Sequence, residues 1–184
     1  MRPASSRSRR SHPLELSLFA FAGSSWTQRR IAAAVRGAAA ILAQCGVALE
    51  AATLYRLEGG APEMRDLDTP RSRALARELD PARPAVFFVR DTRNSPQFEA
   101  EAFGHGNTAT RPELAGTVWI TAGIRDLPVS LAHELGHVLM DSGEHSEAPR
   151  NLMRADSAPE NTLLTRAQCA RMVERGTANG WLKP

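Results

Sequence analysis

The 184-residue chain is predicted to fold as a single α+β domain whose elements run strand, long helix, strands, helix, loop, helix. Three observations predict it. Leu14–Ala22 alternates apolar and small or polar residues as a half-buried strand does. Ile31, Val35, Ala38, Leu42 and Cys45 recur at helical spacing and form one apolar stripe. Ala85–Arg90 reads AVFFVR, apolar on both faces, which is the pattern of a central strand.

The remaining elements follow in chain order. Residues 1–12 carry Arg2, Arg7, Arg9 and Arg10 with no acid and read as a disordered basic tail, leaving 13–184 as a single domain. A signal peptide with Ala20-Phe21-Ala22 as its cleavage site is the rival reading, but the apolar run is short and broken by Glu15. Ser25-Trp26-Thr27-Gln28 has the form of a capping box and should open the first helix, with Gly46 as its left-handed stop. Val47–Tyr55 is a second strand. Thr69-Pro70 starts a short helix over 70–79 inside a proline-rich connector. Residues 91–116 read as a long loop or irregular edge, and Thr117–Thr121 as a strand. Pro128 to about Asp141 is a helix, 142–161 a loop, and Thr165-Arg166-Ala167-Gln168 a second capping box. The last helix should end at Gly176.

Composition excludes several classes. The formal charge is +3, but without the four tail arginines 19 basic residues face 20 acidic ones, so the body lacks the basic excess of a nucleic-acid binder. The longest charge-free stretches, Leu16–Gln28 and Gly37–Leu49, have 13 residues each, against about 20 for a membrane span. No nucleic-acid or membrane partner is expected, and a monomer is. Cys45 and Cys169 are too few for a disulfide scaffold; if the helices bearing them pack, a disulfide between them can form, and the equal alternative is two separate buried thiols.

Three of the five histidines fall within 13 residues: His133, His137 and His145. The segment His133-Glu134-Leu135-Gly136-His137 is an HExxH motif, expected by chance about 0.01 times in a chain of this composition. Side chains four apart share one helix face, so both imidazoles can reach one zinc ion, and Glu134 beside them can accept a proton from water. Catalytic zinc takes three protein ligands and leaves a position for water. His145 is the third candidate, with Gly143 breaking the helix ahead of it. His105, flanked by Gly104 and Gly106, is an alternative, and Asp141 is read as a helix-end group.

These residues resemble the metzincin clan of zinc peptidases, in which HExxH is followed by a glycine, a third histidine and a turn that carries a methionine beneath the metal. Asn151-Leu152-Met153 looks like that turn, which implies Met153 as its methionine. The element order also looks like the metzincin-like zincin plan, which implies a mixed twisted sheet with a backing helix and an active-site helix in an upper part of about 13–141, and a small C-terminal subdomain ending in a helix as a lower part of about 142–184. The spacing departs from the clan: Met140 stands where the glycine belongs, and His145 lies eight rather than six residues past His137. A glutamate ligand, Glu160 or Glu174, would make the chain more like the gluzincins.

The resemblance implies a zinc-dependent metalloendopeptidase with one catalytic Zn2+, a peptide or protein substrate and Glu134 as general base. It also favours a secreted or extracytoplasmic location. The competing function is a non-catalytic binding or regulatory module whose zinc holds the loop 142–153. Some metzincins use a tyrosine after the Met-turn; the sole tyrosine here, Tyr55, lies far upstream. The substrate is expected to add as a further strand to an edge at 117–121. Arg90 and Arg125 could meet acidic substrates, though solvated roles are commoner for arginine.

Overall fold

A computed structural model describes residues 11–58, 70–90, 101–103, 112–156 and 158–184. The basic segment 1–10 and His105 lie outside these residues. The elements are β1 (His12–Phe21), α1 (Gln28–Leu42), β2 (Val47–Leu57), α2 (Pro70–Leu79), β3 (Ala85–Val89), β4 (Glu101–Phe103), β5 (Thr117–Thr121), α3 (Leu127–Met140) and α4 (Arg166–Ala178). The strands form one sheet in the order β2-β1-β3-β5-β4. Among the described residues, four strands run parallel and β4 pairs antiparallel with β5. The fold is therefore mixed α and β, and β3, apolar on both faces, is the central strand. No helix among the described residues is long and apolar enough to cross a membrane.

The two-residue period of the strands divides the core. Leu14, Leu16, Leu18 and Ala20 of β1, Val86 and Phe88 of β3, and Val118 and Ile120 of β5 face α1 and α3 in the larger cluster. Phe19, Phe87 and Trp119 point the other way, toward Ala76 of α2 and Leu114. On that face Tyr55, Phe19, Phe87 and Trp119 are cross-strand neighbours and stack in a ladder, with ring centroids 5.0, 4.9 and 4.3 Å apart. Tyr55 thus packs on the sheet face opposite α3.

Helix α1 lies against α3, and Gly37 permits the approach: a Cβ there would come within 2.6 Å of Pro128 Cβ. A disulfide joins Cys45, in the 3-10 turn that follows α1, to Cys169 of α4, so α4 packs on that turn and the cysteines pair. Gln44 adds to this junction by accepting from Leu164 N–H and donating to the Thr162 carbonyl, at 2.8 Å each.

Several boundaries differ from expectation. Strand β1 begins at His12, whose N–H donates to the Gly46 carbonyl. Helix α1 starts at Gln28, and Thr27 rather than Ser25 caps it, accepting from Arg30 N–H. The reason is Trp26, which is buried with its indole N–H donated to the Val89 carbonyl, so helical backbone begins only after it. Gly46 does take the left-handed conformation, φ 76°, after a 3-10 turn at Ala43–Cys45. Gly176 does not end α4. It lies inside the helix because Leu182 folds back onto it, 2.8 Å from where a Cβ would sit. The chain then leaves through Asn179 and Gly180 (φ 71°).

The expectation that 117–121 is an edge strand fails: β5 is flanked by β3 on one side and β4 on the other. All five β5 residues are buried, which fits an interior strand. The segment 91–116, read as loop or irregular edge, supplies β4 at the rim and a 3-10 turn at Pro112–Leu114.

Candidate metal centre

The site is built on α3, a helix buried on nearly all sides. Pro128 stands in its first turn, where the missing N–H is not needed. Its mostly apolar surface packs between the sheet, α1 and α4, so the polar residues His133, Glu134 and His137 enter the interior because their spacing puts them there. They are 4%, 8% and 8% exposed. Among the described residues, His133, His137 and His145 offer ligand atoms that all lie within 4.8 Å of one another. Glu160 and Glu174 do not belong to this group.

Two backbone carbonyls set the imidazole tautomers. His133 Nδ1 lies 2.7 Å from the Leu152 carbonyl oxygen, and His137 Nδ1 lies 2.7 Å from that of Ser142. A carbonyl only accepts, so each Nδ1 carries the proton and donates it. In the neutral rings both Nε2 atoms then hold bare lone pairs, and these face each other at 2.9 Å. Two such lone pairs repel unless a cation stands against both. Burial pushes the His133 imidazole below its ordinary range, and burial followed by the neighbouring His133 takes His137 to about 4. At neutral pH the rings are therefore uncharged, which is the form that ligates a metal. Nitrogens bound at about 2.0–2.1 Å to one tetrahedral zinc are roughly 3.4 Å apart, so a small opening of the 2.9 Å contact would admit the ion. The donor set fits zinc.

His145 reaches the site despite its wider spacing, and the helix end explains how. Asp141, not Gly143, takes the left-handed position, φ 52°, with its N–H directed to the His137 and Val138 carbonyls. Ser142 N–H also returns to the His137 carbonyl at 3.1 Å. The reversal begins one residue after Met140 and turns the chain back along α3. Asp141 is thus a helix-end residue, as expected. Ser146 N–H then donates to the Met153 carbonyl at 2.7 Å, tying the returning loop to the turn below. The His145 ring centre lies 5.4 Å from that of His133 and 5.0 Å from that of His137, and the ring itself is exposed. Arg171 of α4 braces the same loop, donating to the Met140 carbonyl and pairing with Glu144.

Met153 lies beneath the helix. It is 1% exposed, and its sulfur would sit 2.8 Å from a Cβ at Gly136, with Cε at 3.4 Å. Gly136 is the seat of the methionine. A glycine inside a helix costs about 1 kcal/mol relative to alanine, and that cost in the middle of HELGH was the one sequence signal of a close contact here. The turn is held by Asn151, whose side-chain oxygen accepts from Met153 N–H at 2.9 Å, while Arg154 N–H returns to the Asn151 carbonyl. The supporting carbonyls of Leu152 and Ser142 had no sequence signal, since any residue supplies a carbonyl.

No protein-family model and no curated protein sequence matches this chain.

Proposed function

We propose that the protein is a zinc-dependent metalloendopeptidase of metzincin-like type, with His133, His137 and His145 as metal ligands, Glu134 as general base and Met153 as the methionine of the turn. The observation that carries the reading is the pair of bare Nε2 atoms 2.9 Å apart on the helix that also presents Glu134. A site that only needed zinc for stability would have no use for a carboxylate between its histidines. The departure from the clan's spacing is met by the left-handed Asp141, which starts the reversal without a glycine.

Bound at these histidines, zinc supplies Lewis acidity and brings the pKa of a water down to about 7. The chain's own residues do the rest. The Leu152 and Ser142 carbonyls keep each ring in the tautomer that ligates. Glu134, largely shielded from solvent, takes the proton of the attacking water and returns it to the leaving amine. The substrate is a peptide or protein, bound by a monomeric enzyme without nucleic-acid or membrane partners. Because β5 is interior, the strand available for substrate pairing at that rim is β4.

The test is hydrolysis of a mixed peptide library by the zinc-loaded protein and by Glu134→Gln. Loss of a general base costs about 10²–10⁴ in rate, so the variant should retain metal and lose at least 100-fold of the activity on that estimate. Equal cleavage by both proteins refutes the mechanism. Zinc retained with no cleavage by either identifies a binding module instead.

A further inference from the structure

Gln168 lies on the first turn of α4, outside the histidine cluster, yet it is bonded to the turn beneath it. Its side-chain oxygen accepts from Thr165 N–H at 2.8 Å and from Asn151 Nδ2 at 2.9 Å; its Nε2 donates to Asn151 Oδ1 at 3.0 Å. The same Asn151 oxygen accepts from Met153 N–H. Asn151 is 3% exposed, so its amide has few other partners and cannot flip without setting its NH2 against Met153 N–H. Between Asn151 and Met153 stands Leu152, whose N–H donates to the Leu163 carbonyl at 2.7 Å and whose own carbonyl accepts from His133 Nδ1.

We propose that Gln168 is a positioning residue for the metal ligand His133, acting through the Asn151 amide and the Leu152 carbonyl. The inference rests on the metal-centre reading above. Gln168 has two separable tasks. As the third residue of the helix it completes the capping box of α4, accepting from Thr165 N–H while its own N–H meets Thr165 Oγ1. As an amide it clamps Asn151 from both ends. Only the second task reaches His133. The disulfide partner Cys169 is the next residue, so the clamp is mounted on a part of α4 fixed to the α1 end.

Glutamate separates the tasks, because it serves the capping box as well as glutamine does but offers no donor to Asn151 Oδ1 and sets an oxygen against it. Cobalt(II) is titrated into metal-free protein in competition with a chelator, following the visible band of the ligand field. Groups that support a ligand typically change metal affinity 10–100-fold. One step further out, Gln168→Glu should weaken cobalt binding about 3–10-fold and alter the band shape. Thr165→Ala, which loses the Oγ1 acceptor but leaves the amide pair, should bind within about twofold of wild type on the same reasoning. Gln168→Met, similar in length and without polar atoms, carries the same expectation as Gln168→Glu, so misfolding of one variant does not decide the matter. Unchanged affinity in the folded Gln168 variants, or an equal loss in Thr165→Ala, overturns the inference and leaves the metal centre standing. Wild-type protein that takes up no cobalt overturns both.

Discussion

Gly136→Ala should have opposite effects on stability depending on what stands at position 153. In the wild-type background the added methyl meets Met153 Sδ at 2.8 Å and Cε at 3.4 Å. An ordinary carbon–sulfur contact is close to 3.7 Å, so the methionine must retract by roughly 1 Å in a site where it has almost no free surface. Overpacking costs about 1–3 kcal/mol, and the lower end applies because the atoms that must yield are the far end of a flexible side chain. Alanine meanwhile recovers about 1 kcal/mol of helix propensity over glycine. The net change is a destabilisation of about 0–1 kcal/mol. In a Met153→Ala background, itself destabilised by about 2–5 kcal/mol through the cavity, the clash is gone and Gly136→Ala should stabilise by about 1 kcal/mol. The double-mutant cycle should therefore show a coupling of about 1–2 kcal/mol, measured by urea unfolding of the chelator-treated proteins. Equal effects of Gly136→Ala in both backgrounds would refute the contact and the account of why a glycine stands inside HELGH.

Further outcomes test the rest of the centre. His145→Ala should weaken zinc binding by more than the roughly 10–100-fold typical of supporting groups, with the far-ultraviolet spectrum unchanged because the ring is exposed; zinc stoichiometry and affinity equal to wild type would refute its role. His137 is held at about 4 in the folded protein against 6.5, so the unfolded chain binds the extra proton. Stability of the metal-free protein should fall as pH drops from 6.5 toward 4, by about 3 kcal/mol at 1.36 kcal/mol per unit; the same slope in His137→Asn would contradict this. Reducing Cys45–Cys169, which spans 124 residues, should cost about 2–5 kcal/mol of stability. Unfolding midpoints that coincide with and without reductant would show the bond to be energetically idle.

Much of the site was legible because it is local. HExxH needs only one helix, and the period of that helix brings His133 and His137 together without reference to the rest of the fold. The second capping box, at Thr165–Gln168, could likewise be read because all its atoms lie within one turn. The first was misplaced by two residues, since Ser25 and Thr27 are equally able to cap and a distant carbonyl on β3 chose between them by holding Trp26. Gly176 shows the same limit. Its local reading is a helix stop, and its actual use depends on Leu182 folding onto it.

The order of residues along the chain thus settled the chemistry on offer: two imidazoles on one helical face with a carboxylate beside them, a third histidine downstream, a methionine beyond it. Packing settled whether that chemistry converges. His145 joins the group because Asp141 adopts a left-handed backbone, which aspartate enters more readily than most residues but which its identity alone does not announce. The tautomers were also decided late. They depend on two carbonyls, at Leu152 and Ser142, whose direction is a property of the folded backbone and leaves no mark on residue identity.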